Sequence, residues 1–322
     1  MTSFNSYILQ GVYEDDVKEF DRLARFDSLI DWEAFCPIIA SSYHNLTERG
    51  GRPNIDPIVM LKLLVLQHLY GFSDPQLQWT ASDSISFRRF IGFQRIPDYT
   101  TVWLFGERLV QNGKLDKVWN ELQRQMDRKG LRVERRAPTA QDAAFITADH
   151  GAPESKPRGD QALTRRSRDG TWMKKLKKAY FGYKLHVKTD LTYGLIRAIK
   201  TTTASVHDSR VDLSRRGEVV YRDRGYFGVP AKGFDATMQR GTRAGPIDVF
   251  DRLRNLRILR RRAPIERVFA MLKRIFRAGH VLVTTVPRVK VKNLFSCLCF
   301  NLMQMLALRR QVQAWDLDEC RK

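Results

Sequence analysis

Three things are scarce in this sequence, and each scarcity narrows the reading. Cysteine is rare: Cys36, Cys297, Cys299 and Cys320 are the only four in 322 residues, and none pair in CxxC spacing. Neither a zinc site nor a disulfide framework is expected, and Cys297 and Cys299, set in an apolar stretch, read as buried free thiols. Long apolar runs are missing as well. The longest, residues 60–70 and 294–308, are broken by Lys62, Gln67, Asn301 and Gln304. None reaches the roughly 18 residues that a spanning helix needs. The start, MTSFNSYILQGVYEDD, lacks the basic residues and apolar centre of a signal peptide, so a cytoplasmic protein is expected. Acidic residues are the third shortage. There are 35 of them against 56 Lys and Arg, a net charge of +21. Such an excess attracts polyanions, and without a spanning run a membrane is the weakest of the candidate partners.

What is present is ordinary in bulk: 43% hydrophobic and 28% charged residues, as in folded proteins. The length suggests a large domain with a smaller one. Charge is spread unevenly. Residues 1–50 hold nine acids and four bases, 151–190 four acids and eleven bases, and 251–290 two acids and twelve bases. The two basic stretches are expected to meet phosphate, and the acidic start to serve pairing or packing.

Residues 1–125 read as a helical N-terminal domain. Asp56-Pro57 caps and opens a helix that Gly71 stops, Ser73-Asp74-Pro75 starts another, and Asp98 with Thr100 and Thr101 caps a third. The spacing from Pro57 to Trp79 fits a helix–turn–helix, and equally a plain bundle. A basic linker follows over 126–138. Strand-like runs then cover 139–148, 180–187, 195–199 and 219–221, with a helix or helical turn at 204–216 and helices at 263–277 and 290–308. This is an α/β domain over 139–310, with a basic insert at 150–179 and a tail at 311–322.

Acids on strands inside a basic surround are candidates for divalent metal ligands, since hard cations prefer carboxylate oxygen. Asp142 lies within a strand-like run, where no turn or cap explains it, and a covered acid needs a partner or a metal. Asp149 closes the same run. Asp223 stands at the exit of Glu218-Val219-Val220-Tyr221-Arg222. Glu266 follows Pro264 near a helix start, with Arg262 before it and Lys273 on the same face two turns on. Singly, such acids are more often caps or salt-bridge partners than ligands.

Together the motifs resemble the DDE transposases of prokaryotic insertion sequences, in the group numbered five. The resemblance runs through GRPNIDPIVMLKLLVLQHLYGFSD, FRRFIGF, IPDYTTVWLFGERL, QDAAFI, YFGYKLH, TTTASVHDS, VVYRDRGYFG and RRRAPIERVFAMLKR, in that order. It implies an RNase H-like fold: a mixed sheet flanked by helices, with two Asp on adjacent strands and the Glu on a later helix. It also implies that Asp142, Asp223 and Glu266 hold two Mg2+ ions, Mn2+ being able to replace them, and that Asp149 is the second candidate for the first acid. Two departures stand out: Ala144 replaces a hydroxyl residue, and Leu259 replaces the tyrosine of the motif around the glutamate. His207-Asp208 matches a pair before the second acid, with either a packing role or one near the metals.

The expected activity is metal-dependent cleavage at the ends of an insertion sequence, then strand transfer into target DNA. Arg262 and Lys273 would hold terminal phosphates. The insert, with Arg165, Arg166, Arg168, Lys174, Lys175, Lys177 and Lys178, would clamp the DNA backbone. Trp172 would stack on an unpaired base or anchor the insert as a core aromatic. Double-stranded DNA, as terminal inverted repeats and as target, is the expected partner. Joining two ends requires a homodimer or larger assembly, in the cytoplasm at the nucleoid. The rival readings are a catalytically silent DNA-binding descendant and a related nuclease.

Overall fold

The computed structural model describes residues 4–43, 54–149, 169–175, 178–241, 245–282 and 285–319. It divides into two compact units: Met1–Gly130 with Asn301–Lys322, and Leu131–Phe300.

The first unit is helical: α1 (Phe4–Val12), α2 (Arg22–Asp27), α3 (Cys36–Ala40), α4 (Pro57–Tyr70), α5 (Asp74–Asp83), α6 (Ile85–Phe90), α7 (Tyr99–Gln111) and α8 (Leu115–Arg128). The stop and start signals act where the residues place them. Asp56 accepts from the Ile58 amide at 2.7 Å, Pro57 opens α4, and Gly71 ends it at φ +66°, a backbone only glycine adopts freely. Asp98 caps α7 by accepting from the Thr101 amide. Eight residues of α4, from Ile58 to Leu66, are buried, so this helix is the centre of a bundle. Lys62 survives there because Asp27 pairs with it at 2.8 Å and the Phe90 ring lies 4.9 Å away.

The second unit contains β1 (Pro138–Ala148), β2 (Thr171–Lys175), β3 (Lys178–Asp190), β4 (Ile196–Thr203), β5 (Val219–Arg222), β6 (Phe234–Thr237) and β7 (His280–Val281). Its helices are α9 (Val249–Arg262) and α10 (Pro264–Arg274), and α11 (Val286–Glu319) begins in it. β3 pairs antiparallel with β1, β2 and β4, while β5 lies parallel to β1 and β6 parallel to β5. A long antiparallel meander joined to parallel strands, with helices packed against it, is the RNase H-like arrangement. Gly182 in YFGYKLH is required by that pairing. At φ +154° an added Cβ would lie 2.0 Å from the Ile146 carbonyl oxygen of β1.

Buried charges inside the sheet are paired. Lys188 donates to both oxygens of Glu218 at 2.7 and 2.9 Å, and Arg197 pairs with Asp190 at 2.7 Å. Of the helix or helical turn expected over 204–216, the turn is what forms, at Asp208–Arg210. The rest is held irregular by Gln141, whose amide donates to the Val211 carbonyl and whose oxygen accepts from the Leu213 amide. Helix α9 is an element the sequence reading does not anticipate.

The stretch Val286–Arg310 of α11 is long and apolar enough by composition to cross a membrane, which the broken-run argument does not foresee. Its most apolar window is 61% buried inside the protein, and the polar Asn293, Ser296 and Asn301 are buried with it. This is how a core helix reads. Cys297 and Cys299 are free thiols on it, their pKa pushed up by burial.

Candidate active site

Asp142 sits in the middle of β1, where a pleated strand must point each side chain to one face or the other. Its Oδ1 accepts from the Ala143 amide at 2.8 Å, and the carboxylate is 15% exposed. Asp223 follows β5, the parallel neighbour of β1, and caps the turn Arg224–Tyr226 by accepting from the Gly225 amide at 2.8 Å. The capping carboxylate is also one of the charges acting on Asp142. Glu266 lies in the first turn of α10, which buries Ile265, Val268, Phe269 and Leu272 and leaves Glu266 64% exposed. Pro264 at the helix start and Ala263 before it set the corner between α9 and α10.

The three acids share one electrostatic neighbourhood. Burial pushes the Asp142 carboxyl up to about 6, against the pull of Arg262; the negative charges of Asp223 and Glu266 add to the rise. Arg262, the last residue of α9, is itself buried, and one Nη2 donates to Asp142 Oδ2 and, at 3.2 Å, to Glu266 Oε1. The guanidinium thus ties the first and third acids. Asp149 lies exposed just beyond the end of β1.

Several supporting residues escape sequence reasoning. Tyr226 is fully buried, and its phenol is raised by burial first and then by Asp142 and Asp208, so it stays protonated. Arg222 clamps the segment after Asp223: it reaches Thr237 Oγ1 at 2.8 Å, the Val229 carbonyl at 2.6 Å and Asp235 at 2.7 Å, 5.3 Å from the Tyr226 ring. Lys184 of β3 pairs with Asp208 at 2.9 Å and donates to the Val206 carbonyl. Asp208 is one of the charges that act on Tyr226 and on His186. His207 faces solvent and caps the Asp208–Arg210 turn by accepting from Ser209. A lysine inside the YFGYKLH strand, buried on both faces from Gly182 onward, is the signal that points to Lys184 from sequence.

The cationic candidates divide. Lys273 is exposed on α10, and Lys174 and Lys178 are exposed on the β2–β3 hairpin. Trp172 of the same hairpin is 53% exposed and meets the Phe181 ring edge-on at 5.3 Å, so it is both anchored and accessible. Arg165, Arg166, Arg168 and Lys177, and the side chain of Lys175, lie outside the described residues. Leu259 stands on α9, three residues before Arg262, 45% exposed.

Three carboxylates offer an all-oxygen donor set that suits a hard divalent cation. The unfavourable ionisation of Asp142 beside two further acids is the environment such a cation relieves. Among the described residues no three acidic, His or Cys side chains stand close enough to hold an ion as they are. Arg262 supplies positive charge between Asp142 and Glu266 instead. The residues fit the group in chemistry, with Arg262 occupying the place between two of them.

Residues 127–302, more than half of the chain, match the family described as Transposase DDE domain, and residues 11–108 match Transposase domain (DUF772). The chain is 25% identical over 215 residues to the Transposase for insertion sequence element IS1106 of Neisseria meningitidis serogroup B, covering 61% of this chain and 74% of that one. The piggyBac transposase of a synaptic complex with hairpin DNA aligns over 96% of this chain and 76% of its own, at 12% identity and a TM-score of 0.44. With its RNase H-like sheet and matching domain, this chain belongs to the DDE transposase family: polynucleotidyl transferases of DNA transposition that depend on divalent metal.

Proposed function

We propose that the chain moves an insertion sequence of group five, with Asp142, Asp223 and Glu266 as the acids that hold two Mg2+ ions. The observation that carries this reading is the electrostatic coupling of the three acids around a buried Asp142. When bound, the ions would activate the attacking oxygen and neutralise charge on the leaving one. The chain's own residues do the rest. Asp142 on its rigid strand fixes one side of the site. Asp223, held by the Gly225 amide, fixes the other. Glu266, more exposed, completes the set from α10.

For an ion to sit between Asp142 and Glu266, Arg262 must withdraw from them. A DNA phosphate is the natural new partner, since a guanidinium binds phosphate oxygens bidentately. Lys273, with Lys174 and Lys178 of the hairpin, adds cations that hold the backbone, with Trp172 available to stack on an unpaired base. The partners are double-stranded terminal inverted repeats and target DNA. Two ends joined in one event require two copies or more. The setting is the prokaryotic cytoplasm, at the nucleoid.

The test is cleavage of a duplex carrying the element's own end, with Mn2+ binding measured alongside by calorimetry. Wild type should bind the ion and nick the end. Asp142→Ala, Asp223→Ala and Glu266→Ala should lose both while still binding the duplex. Undiminished Mn2+ binding by Asp142→Ala would contradict the assignment.

A further inference from the structure

Helix α9 carries an apolar face exposed to solvent. Its buried side consists of Asn255, Ile258 and Arg262. Val249, Leu253, Leu256 and Arg260 recur at i, i+4, i+7 and i+11, so they share the opposite face. Val249 is 65% exposed, Leu253 and Leu256 51% each, and the adjacent Phe250 83%. Arg257 and Arg261 border the face. Contiguous exposed apolar surface with a polar rim marks an interaction site. Arg257, Arg260 and Arg261 at this end of the helix favour an acidic partner surface.

The same sequence contains one. α1 and the turns that follow expose Tyr7 at 75%, Ile8 at 48% and Phe20 at 81%, interspersed with exposed Asp15, Asp16 and Glu19. Aromatic side chains amid acids complement leucines amid arginines in both packing and charge. We propose that the N-terminal acidic segment of one copy docks on the α9 face of a second copy, and reciprocally. Such an exchange closes a dimer about a two-fold axis instead of growing a filament. It also ties assembly to chemistry: α9 ends in Arg262 and leads into Glu266, so the partner's segment braces the helix that presents them. The inference rests on the paired assembly proposed above and names its surface.

The test is sedimentation of the full chain over a range of concentrations, with circular dichroism to confirm folding. Three variants alter solvent-facing positions: Leu253→Asp with Leu256→Asp, Asp15→Lys with Asp16→Lys, and Arg257→Glu with Arg260→Glu. Each should raise the dimer Kd at least tenfold, and joining the second and third sets in one chain should restore it. Wild-type dimerisation that none of the three disturbs overturns this surface while leaving the paired assembly standing. A wild type that stays single at every concentration, with and without its DNA ends, overturns both. Dimerisation intact but DNA affinity lost in Leu253→Asp with Leu256→Asp assigns the face to DNA, and the proposal falls.

Discussion

An acid held partly against its own ionisation should cost the fold stability, and Asp142 allows the cost to be worked out. Its carboxyl is raised from 3.8 to about 6, with burial outweighing Arg262. A raised carboxyl means the folded chain favours the protonated form. The penalty for ionising it is absent well below pH 4, grows as pH rises between the unfolded and folded values, and is complete above the folded one. A shift of roughly two units corresponds to about 3 kcal/mol. Asp142→Asn imitates the protonated acid: its oxygen still accepts from the Ala143 amide, and its side chain carries no charge. At pH 7.5, without divalent ions, the variant should unfold in urea with about 3 kcal/mol more stability than wild type, shrinking below about 1 kcal/mol near pH 4. The gain should accompany loss of catalysis, as expected where function and stability compete. A variant no more stable than wild type at pH 7.5, or a gain independent of pH, would refute the reasoning.

Three further outcomes follow from neighbouring geometry. Gly225→Ala places a Cβ 3.0 Å from Asp223 Oδ1 and must push that carboxylate by some tenths of an ångström; end cleavage should slow roughly 10–100-fold with the melting temperature little changed. Arg262→Gln removes the cation that competes for Asp142 and Glu266, so Mn2+ affinity without DNA should rise while affinity for the DNA end falls, read by calorimetry and by gel shift. His186, buried on β3 against Thr202 Oγ1 at 2.9 Å, has its pKa lowered by burial to about 4. The folded chain thus favours neutral imidazole, and stability present above pH 6.5 should be lost as pH falls towards 4, by about 3 kcal/mol in full. His186→Gln should flatten that acid limb in urea melts across this range.

Local chemistry made much of the fold legible. Asp56, Pro57, Gly71 and Asp98 punctuate helices by their own hydrogen bonds and dihedrals, so single residues announce the ends. The strand-like runs at 139–148 and 180–187 lie within β1 and β3. Helix α9 stayed hidden because its inward side is Asn255, Ile258 and Arg262, two of them polar, while its leucines face out. The segment 204–216 reads as helical because its hydrogen bonds to Gln141, seventy residues away in sequence for Val211, leave no local trace. At the site, Asp142 was conspicuous as a mid-strand acid and Asp223 as a strand-end one. The bridging of Asp142 and Glu266 by Arg262 depends on side chains meeting across 120 residues and more than one element. No spacing rule reveals that.

The central claim is that Asp142, Asp223 and Glu266 together perform the DNA chemistry. Its most direct test is excision and integration of a marker flanked by the element's own ends. Wild type and Asp149→Ala should move the marker, while Asp142→Ala, Asp223→Ala and Glu266→Ala should bind the ends and leave it in place. Movement of the marker by Asp142→Ala, with Asp149→Ala inactive, would contradict the account.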